Sequence, residues 1–206
     1  PYYGEGLDGF LRKKGAKLRG IVNGIDNDSY DPKRDELIFL PFDSQQGKAE
    51  NKKNLQKTLG LPVNADIPII SMVTRLVDQK GIDLIRHVFH EIIGLNVQFV
   101  LLGTGDAQYE ESFRYFADHY PDHVSVNLYF NESLARKIYA GSDLFLMPSQ
   151  FEPCGIGQLI AMRYGTLPLV RETGGLKDTV VPYNEFNGEG NGFSFANYNA
   201  YEMLYT

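Results

Sequence analysis

Asp143-Leu144-Phe145-Leu146-Met147-Pro148-Ser149-Gln150-Phe151-Glu152-Pro153-Cys154-Gly155-Ile156-Gly157-Gln158-Leu159-Ile160-Ala161-Met162-Arg163 reads as strand, turn and helix in succession. The apolar run 143–147 predicts a buried strand. Pro148 stops it, because proline has no N–H for the ladder. From Gly155 to Arg163 a helix is expected, with Ile156, Leu159, Ile160 and Met162 on its apolar side. Glu152 to Gly155 therefore lie at the carboxyl end of a strand, where open α/β sheets bind ligands. A helix start offers unpaired N–H groups and a positive dipole end to an anion. Gly155 and Gly157 leave room for a phosphate to approach. A carboxylate beside such a site, Glu152, suits the hydroxyls of a neutral polyol. The plainer alternative is a turn with a chance acid.

Outward from this unit the same alternation recurs. Strands are expected at 67–73, 97–102, 124–128, 143–147 and 167–170. Helices are expected at 81–93, 108–120, 132–140 and 155–163. Strands alternating with helices require right-handed crossovers and a parallel sheet covered on both faces. The fold class is α/β, a Rossmann-like doubly wound parallel sheet over residues 63–206. Residues 1–62 lack sustained periodicity and read as an interdomain segment leading into that domain, the whole forming one structural unit. Within them Ile21-Val22 is a short strand candidate ended by the turn Asn23-Gly24, and 49–59 a helix ended by Gly60. Residues 185–192 are expected to form a loop.

Composition narrows the function. A hydrophobic content of 43% is that of an ordinary globular protein. The net charge of −6 argues against nucleic-acid or anionic-membrane partners. No apolar run approaches a membrane span of ~20 residues. Pro1-Tyr2-Tyr3-Gly4 is no signal peptide. The single cysteine, Cys154, excludes an internal disulfide and fits a reducing cytoplasm. Starting without Met and stopping inside an expected helix at Tyr205-Thr206, the chain reads as a piece of a longer polypeptide.

Each strand-to-helix loop carries usable chemistry. Arg75 and Lys80, five apart, follow the first expected strand, and an Arg fork with a Lys point charge suits a diphosphate; two solvated cations are the alternative. Gly103-Thr104-Gly105 is an incomplete dinucleotide signature, equally read as a tight turn. Phe130 could stack on a base, although with 13 Phe and 13 Tyr most aromatics must be structural. Asp26-Asn27-Asp28 fits an Asp-x-Asp metal pattern, but these residue types also make turns by local hydrogen bonding, and no metal or other cofactor is assigned. Cys154 has no histidine near it in sequence and is not read as a nucleophile.

Phe151-Glu152-Pro153-Cys154-Gly155, Tyr164-Gly165-Thr166-Leu167-Pro168, Thr173-Gly174-Gly175-Leu176, the stretch Thr74 to Gly81 and Lys48-Ala49-Glu50-Asn51-Lys52 together resemble the bacterial glycogen synthase and plant starch synthase family, in the right order over nearly the whole chain. The resemblance is to the C-terminal half of a two-domain GT-B-type glycosyltransferase whose N-terminal domain is missing. It implies glucose transfer from ADP-glucose to the non-reducing end of an α-1,4-glucan. It implies catalytic roles for Arg75, Lys80 and Glu152, with Arg75 and Lys80 neutralising the departing diphosphate. Gly103, Gly105, Phe130, Gly155, Ile156 and Gly157 would hold the nucleotide and phosphates, with Phe130 on the adenine. Glu152, Cys154, Gly155, Thr173 and Gly174 would line the glucose pocket, and Asn23 would lie near the interdomain cleft. Ile160 stands where wider relatives carry a second Glu, and Gly157 where threonine is common in the family. Two rival readings are a non-catalytic nucleotide-binding module and a UDP-sugar transferase of the same architecture.

Overall fold

The strands β1 (Ile69–Val73), β2 (Gln98–Leu102), β3 (Val124–Asn127), β4 (Leu144–Met147), β5 (Leu167–Arg171) and β6 (Phe193–Phe195) pair in the order β3-β2-β1-β4-β5-β6, every neighbouring pair parallel. The computed structural model describes residues 6–206; the reading of Pro1 to Gly4 lies outside them. Chain direction across the sheet reverses between β1 and β4, which is the topological switch point of a doubly wound fold. β6, three residues long, escaped sequence reading because it follows the Asn- and Gly-rich loop. β1 starts at Ile69 rather than 67, since Pro68 cannot donate to a ladder.

Side-chain alternation divides the core into two layers. Ile70, Met72, Phe99, Leu101, Val124 and Leu146 face α3 (Ile82–His87), α4 (Phe89–Gly94), α5 (Ala107–His119) and α9 (Ala200–Tyr205). The Phe89 and Phe116 rings stack there at 4.0 Å. On the other face Ile69, Val73, Val100 and Leu102 meet α2 (Gln45–Thr58) and α6 (Glu132–Gly141). Phe145 meets α7 (Gly157–Arg163). The single helix expected over 81–93 is two, parted at Val88 (φ −118°, ψ 23°); the apolar spacing is continuous across the break, so periodicity did not reveal it. α2 begins at Gln45, four residues early, because the Ser44 hydroxyl accepts from the Gly47 N–H at 3.3 Å and caps the first turn. α7 begins at Gly157 rather than Gly155. α8 (Gly174–Thr179) carries the Gly174-Gly175-Leu176 motif and is too short for its periodicity to show in the sequence.

Residues 26–62 are fastened to this sheet by buried polar contacts. Arg136 on α6 bonds Asp35 at 3.2 Å and Glu132 at 3.0 Å, lies over the Tyr30 ring at 4.0 Å and also donates to Ser29. The Tyr164 hydroxyl donates to the same Asp35. Lys48 on α2 donates to the carbonyls of Ala140 (3.1 Å) and Tyr164 (3.0 Å) and to the Thr166 hydroxyl (2.8 Å). A cation on the last carbonyls of α6 and α7 meets the negative ends of both helix dipoles. By contrast α1 (Asp8–Lys14) buries nothing. Ile21, expected in a strand, is 91% exposed and pairs with no strand among the described residues.

Burial pushes the Lys48 ammonium down to about 8. The unfolded chain, with a value of 10.5, holds that proton more tightly. Folding therefore bears the penalty in full below pH 8 and loses it as pH rises toward 10.5. Relative to Lys48→Met, the wild-type chain is expected to gain about 2.5 kcal/mol between pH 7 and pH 10. Urea unfolding of both chains at the two pH values measures this; a constant difference between them contradicts it.

Candidate active site

Four loops meet beyond the carboxyl ends of the strands, and glycines let their backbones touch. Gly81 (φ 71°) sits where a Cβ would lie 2.2 Å from the Pro148 carbonyl oxygen, so the β1 and β4 loops are in direct contact. Gly103 and Gly105 press in the same way on the carbonyls of Thr74 and Leu76, and Leu76 N–H bonds the Thr104 carbonyl at 2.9 Å. Gly174 and Gly175 press on the carbonyls of Glu152 and Cys154, and Gly175 N–H donates to the Glu152 carbonyl at 3.0 Å. A side chain at any of these positions would push two loops apart. At Gly155 (φ 68°) a Cβ would meet only side chains, those of Gln158 and Leu176, and at Gly157 it would touch the Phe145 ring at 3.0 Å. The left-handed backbone at Gly155 and the contact with the Phe145 ring at Gly157 each favour glycine on packing grounds alone.

Lys80 and Glu152 face each other across the switch point. Their side chains form an ion pair, 17% and 11% exposed, and the Ser149 hydroxyl donates to the same carboxylate oxygen at 3.2 Å. Gln79 stitches the two loops alongside: its carbonyl accepts from Gln150 N–H at 2.8 Å and its side-chain amide donates to the Phe151 carbonyl at 3.2 Å. A pair of this kind holds its charges in place before a ligand arrives, and an entering anion or hydroxyl competes for them. Arg75, five residues from Lys80, is exposed, and its side chain carries no hydrogen-bond or ion-pair partner among the described residues.

Arg75 also lines a pocket of about 380 Å³ with Thr74, Gly103, Thr104, Tyr129 and Phe130. Phe130 is 90% exposed, so its ring offers a bare face, whereas the core aromatics are packed. The structure thus brings together Arg75, Gly103 and Phe130 on the β1–β3 side, and sets Lys80, from the same β1 loop as Arg75, against Glu152 on the β4–β5 side, where Cys154, Gly155, Thr173 and Gly174 also lie. Asn23 is exposed and lines neither group. Asp26 accepts from the N–H groups of Asp28 (2.9 Å) and Ser29 (3.3 Å), which is an Asx turn. A second cavity, about 390 Å³, lies at the opposite end of the sheet, where Lys52, one of three lysines that line it, is already bound to Asp143 and the Ala65 carbonyl.

Residues 52–204 match the sequence profile of the glycosyl transferases group 1 family. The chain belongs to the group 1 glycosyl transferases. Over 207 aligned residues it is 60% identical to a glycogen synthase of Clostridium acetobutylicum and 58% to one of Clostridium novyi, covering 100% of this chain and 43% of each relative. It therefore spans less than half the length of the curated relatives it matches. The catalytic domain of starch synthase IV from Arabidopsis thaliana, solved with ADP and acarbose, superposes with a TM-score of 0.91 at 41% identity, over 98% of this chain and 43% of that one. The resemblance read from the motifs thus extends over the whole chain, and the fold is that of the C-terminal domain of a GT-B transferase. No helix among the described residues is long and apolar enough to cross a membrane.

For this transferase domain, sequence reading missed Ser149, Gln79 and Arg171, which touch the loop carrying Glu152. The signal was partly present for two of them, since Ser149 follows β4 by two residues and Arg171 is the last residue of β5, whereas Gln79 lies six residues beyond β1. Which of them reach that loop depends on side-chain direction, which sequence does not supply.

Proposed function

We propose that this domain binds ADP-glucose for a glycogen synthase that adds glucose to the non-reducing end of an α-1,4-glucan. The observation that carries the reading is the placement of Arg75 and Lys80 on one wall of the switch-point crevice and Glu152 on the other. The diphosphate lies against Arg75, Lys80 and the backbone of 155–157, and the adenine against Phe130. Glu152, Cys154, Thr173 and Gly174 surround the sugar. The bond from glucose C1 to the phosphate oxygen breaks, and the acceptor hydroxyl oxygen bonds C1 on the same face. Its proton passes to the departing phosphate, and the configuration is retained. Arg75 and Lys80 stabilise the charge that develops on the leaving group. The acceptor and the rest of the glucose site come from an N-terminal domain of the longer polypeptide. Residues 1–62 lead from that domain into this one, and Asn23 lies at the cleft between them.

The test is transfer of labelled glucose to glycogen by the full-length enzyme, with ADP-glucose and UDP-glucose as competing donors. A preference for ADP-glucose of at least tenfold in kcat/KM, undiminished by a chelator, is expected. A preference for UDP-glucose, or activity that requires added Mg²⁺ or Mn²⁺, rejects the reading.

A further inference from the structure

We infer that Arg171, at the carboxyl end of β5, is a positioning residue for Glu152. The inference rests on the transferase reading above for its meaning, and on this geometry for its substance. The Arg171 guanidinium donates to the Ser149 carbonyl at 2.8 Å and to the Gln150 carbonyl, with a longer bond of 3.5 Å to Ala196. No carboxylate pairs with it among the described residues; the face of Tyr198, 5.8 Å away, is its other neighbour. A charge held by backbone carbonyls in place of an acid is not an ordinary surface ion pair. Its planar fork holds the two consecutive carbonyls from separate nitrogens, Nε and Nη2, in one fixed plane, whereas a lysine brings a single rotatable point charge.

Those two carbonyls belong to the segment that turns from β4 into the site. Ser149 is 1% exposed and its hydroxyl holds the Glu152 carboxylate. From the opposite side Gln79 holds Gln150 and Phe151. The Glu152 loop is therefore suspended between Gln79 on the β1 side and Arg171 on the β5 side. With Arg171 gone, the Ser149 hydroxyl moves with its backbone, and the carboxylate keeps Lys80 but loses its fixed direction. Sites of this kind tolerate displacements of only about 0.5 Å.

Two measurements test the inference, and the first needs no activity. In this 206-residue chain, Arg171→Gln is expected to speed hydrogen exchange of the Gln150 amide at least tenfold, while amides of β1 and β2 stay unchanged. Arg171→Lys, which keeps the charge but not the planar fork, falls between. Unchanged exchange at Gln150 overturns the inference whatever the enzyme's reaction is. In the full-length enzyme, Arg171→Gln is expected to lower kcat for glucose transfer about thirtyfold with the donor KM within threefold. Placed on a Glu152→Gln background, it should lower kcat by less than threefold, because the effect runs through Glu152. Additive losses, or a raised KM with kcat intact, overturn it. A wild-type enzyme that transfers no glucose rejects the transferase reading alone, and the exchange result then decides the role of Arg171.

Discussion

Lys80→Ala in the full-length enzyme is expected to lower kcat by about 10³-fold or more, against about 10²-fold for Arg75→Ala. The difference comes from the partners. Losing one stabiliser of leaving-group charge raises the barrier by about 3 kcal/mol in either case. The Arg75 side chain has no hydrogen-bond or ion-pair partner among the described residues, so its removal strands nothing. Lys80 is paired with Glu152, whose side chain is 11% exposed. Without Lys80 an uncompensated carboxylate faces the diphosphate; at about 10 Å and an effective dielectric near 20, that repulsion adds about 1.5 kcal/mol. The sum, about 4.5 kcal/mol, corresponds to more than 10³ in rate. Steady-state kcat at saturating ADP-glucose for both variants, with circular dichroism as a check on folding, measures the contrast. Equal losses for the two would mean that the ion pair has no part in setting the charge of the site.

The 206-residue chain alone is expected to bind ADP with a Kd near 1 mM, about −4 kcal/mol, and to elongate no glucan. Arg75, Lys80, Gly103 and Phe130 are all within it, on loops that rest on one sheet. Half a cleft can therefore still hold a nucleotide. Bringing acceptor and donor together and excluding water is the task of the closed, two-domain cleft. Such positioning is worth roughly 7 to 11 kcal/mol, so its loss takes turnover below detection. Calorimetric titration of ADP into the chain, with UDP as control, measures the first part; incorporation of labelled glucose into glycogen measures the second. Elongation by the chain alone would mean that the machinery lies elsewhere than proposed. Absence of ADP binding at several mM would remove the 155–157 backbone and Arg75 from the phosphate site.

Local chemistry made much of this protein legible in its sequence. Apolar runs such as Val97–Leu102 sit in the middle of a parallel sheet and are covered on both faces, so they stand out as continuous rather than alternating. Loops that join strand ends to helices had to lie at one edge of the sheet, and so Arg75, Lys80, Phe130 and Glu152 could be assigned to one crevice before any coordinates. Tertiary structure decided what touches what. That Lys80 reaches Glu152 across 72 positions of sequence, and that Gly174 is a glycine because the Glu152 carbonyl leaves it no Cβ, follow from strand order. No local pattern encodes the meeting of β1 with β4. The helix break at Val88, the short β6 and the grip of Arg171 on residues 149 and 150 were hidden for the same reason. Each depends on neighbours supplied by packing, while the sequence fixes only what each residue could do once they arrive.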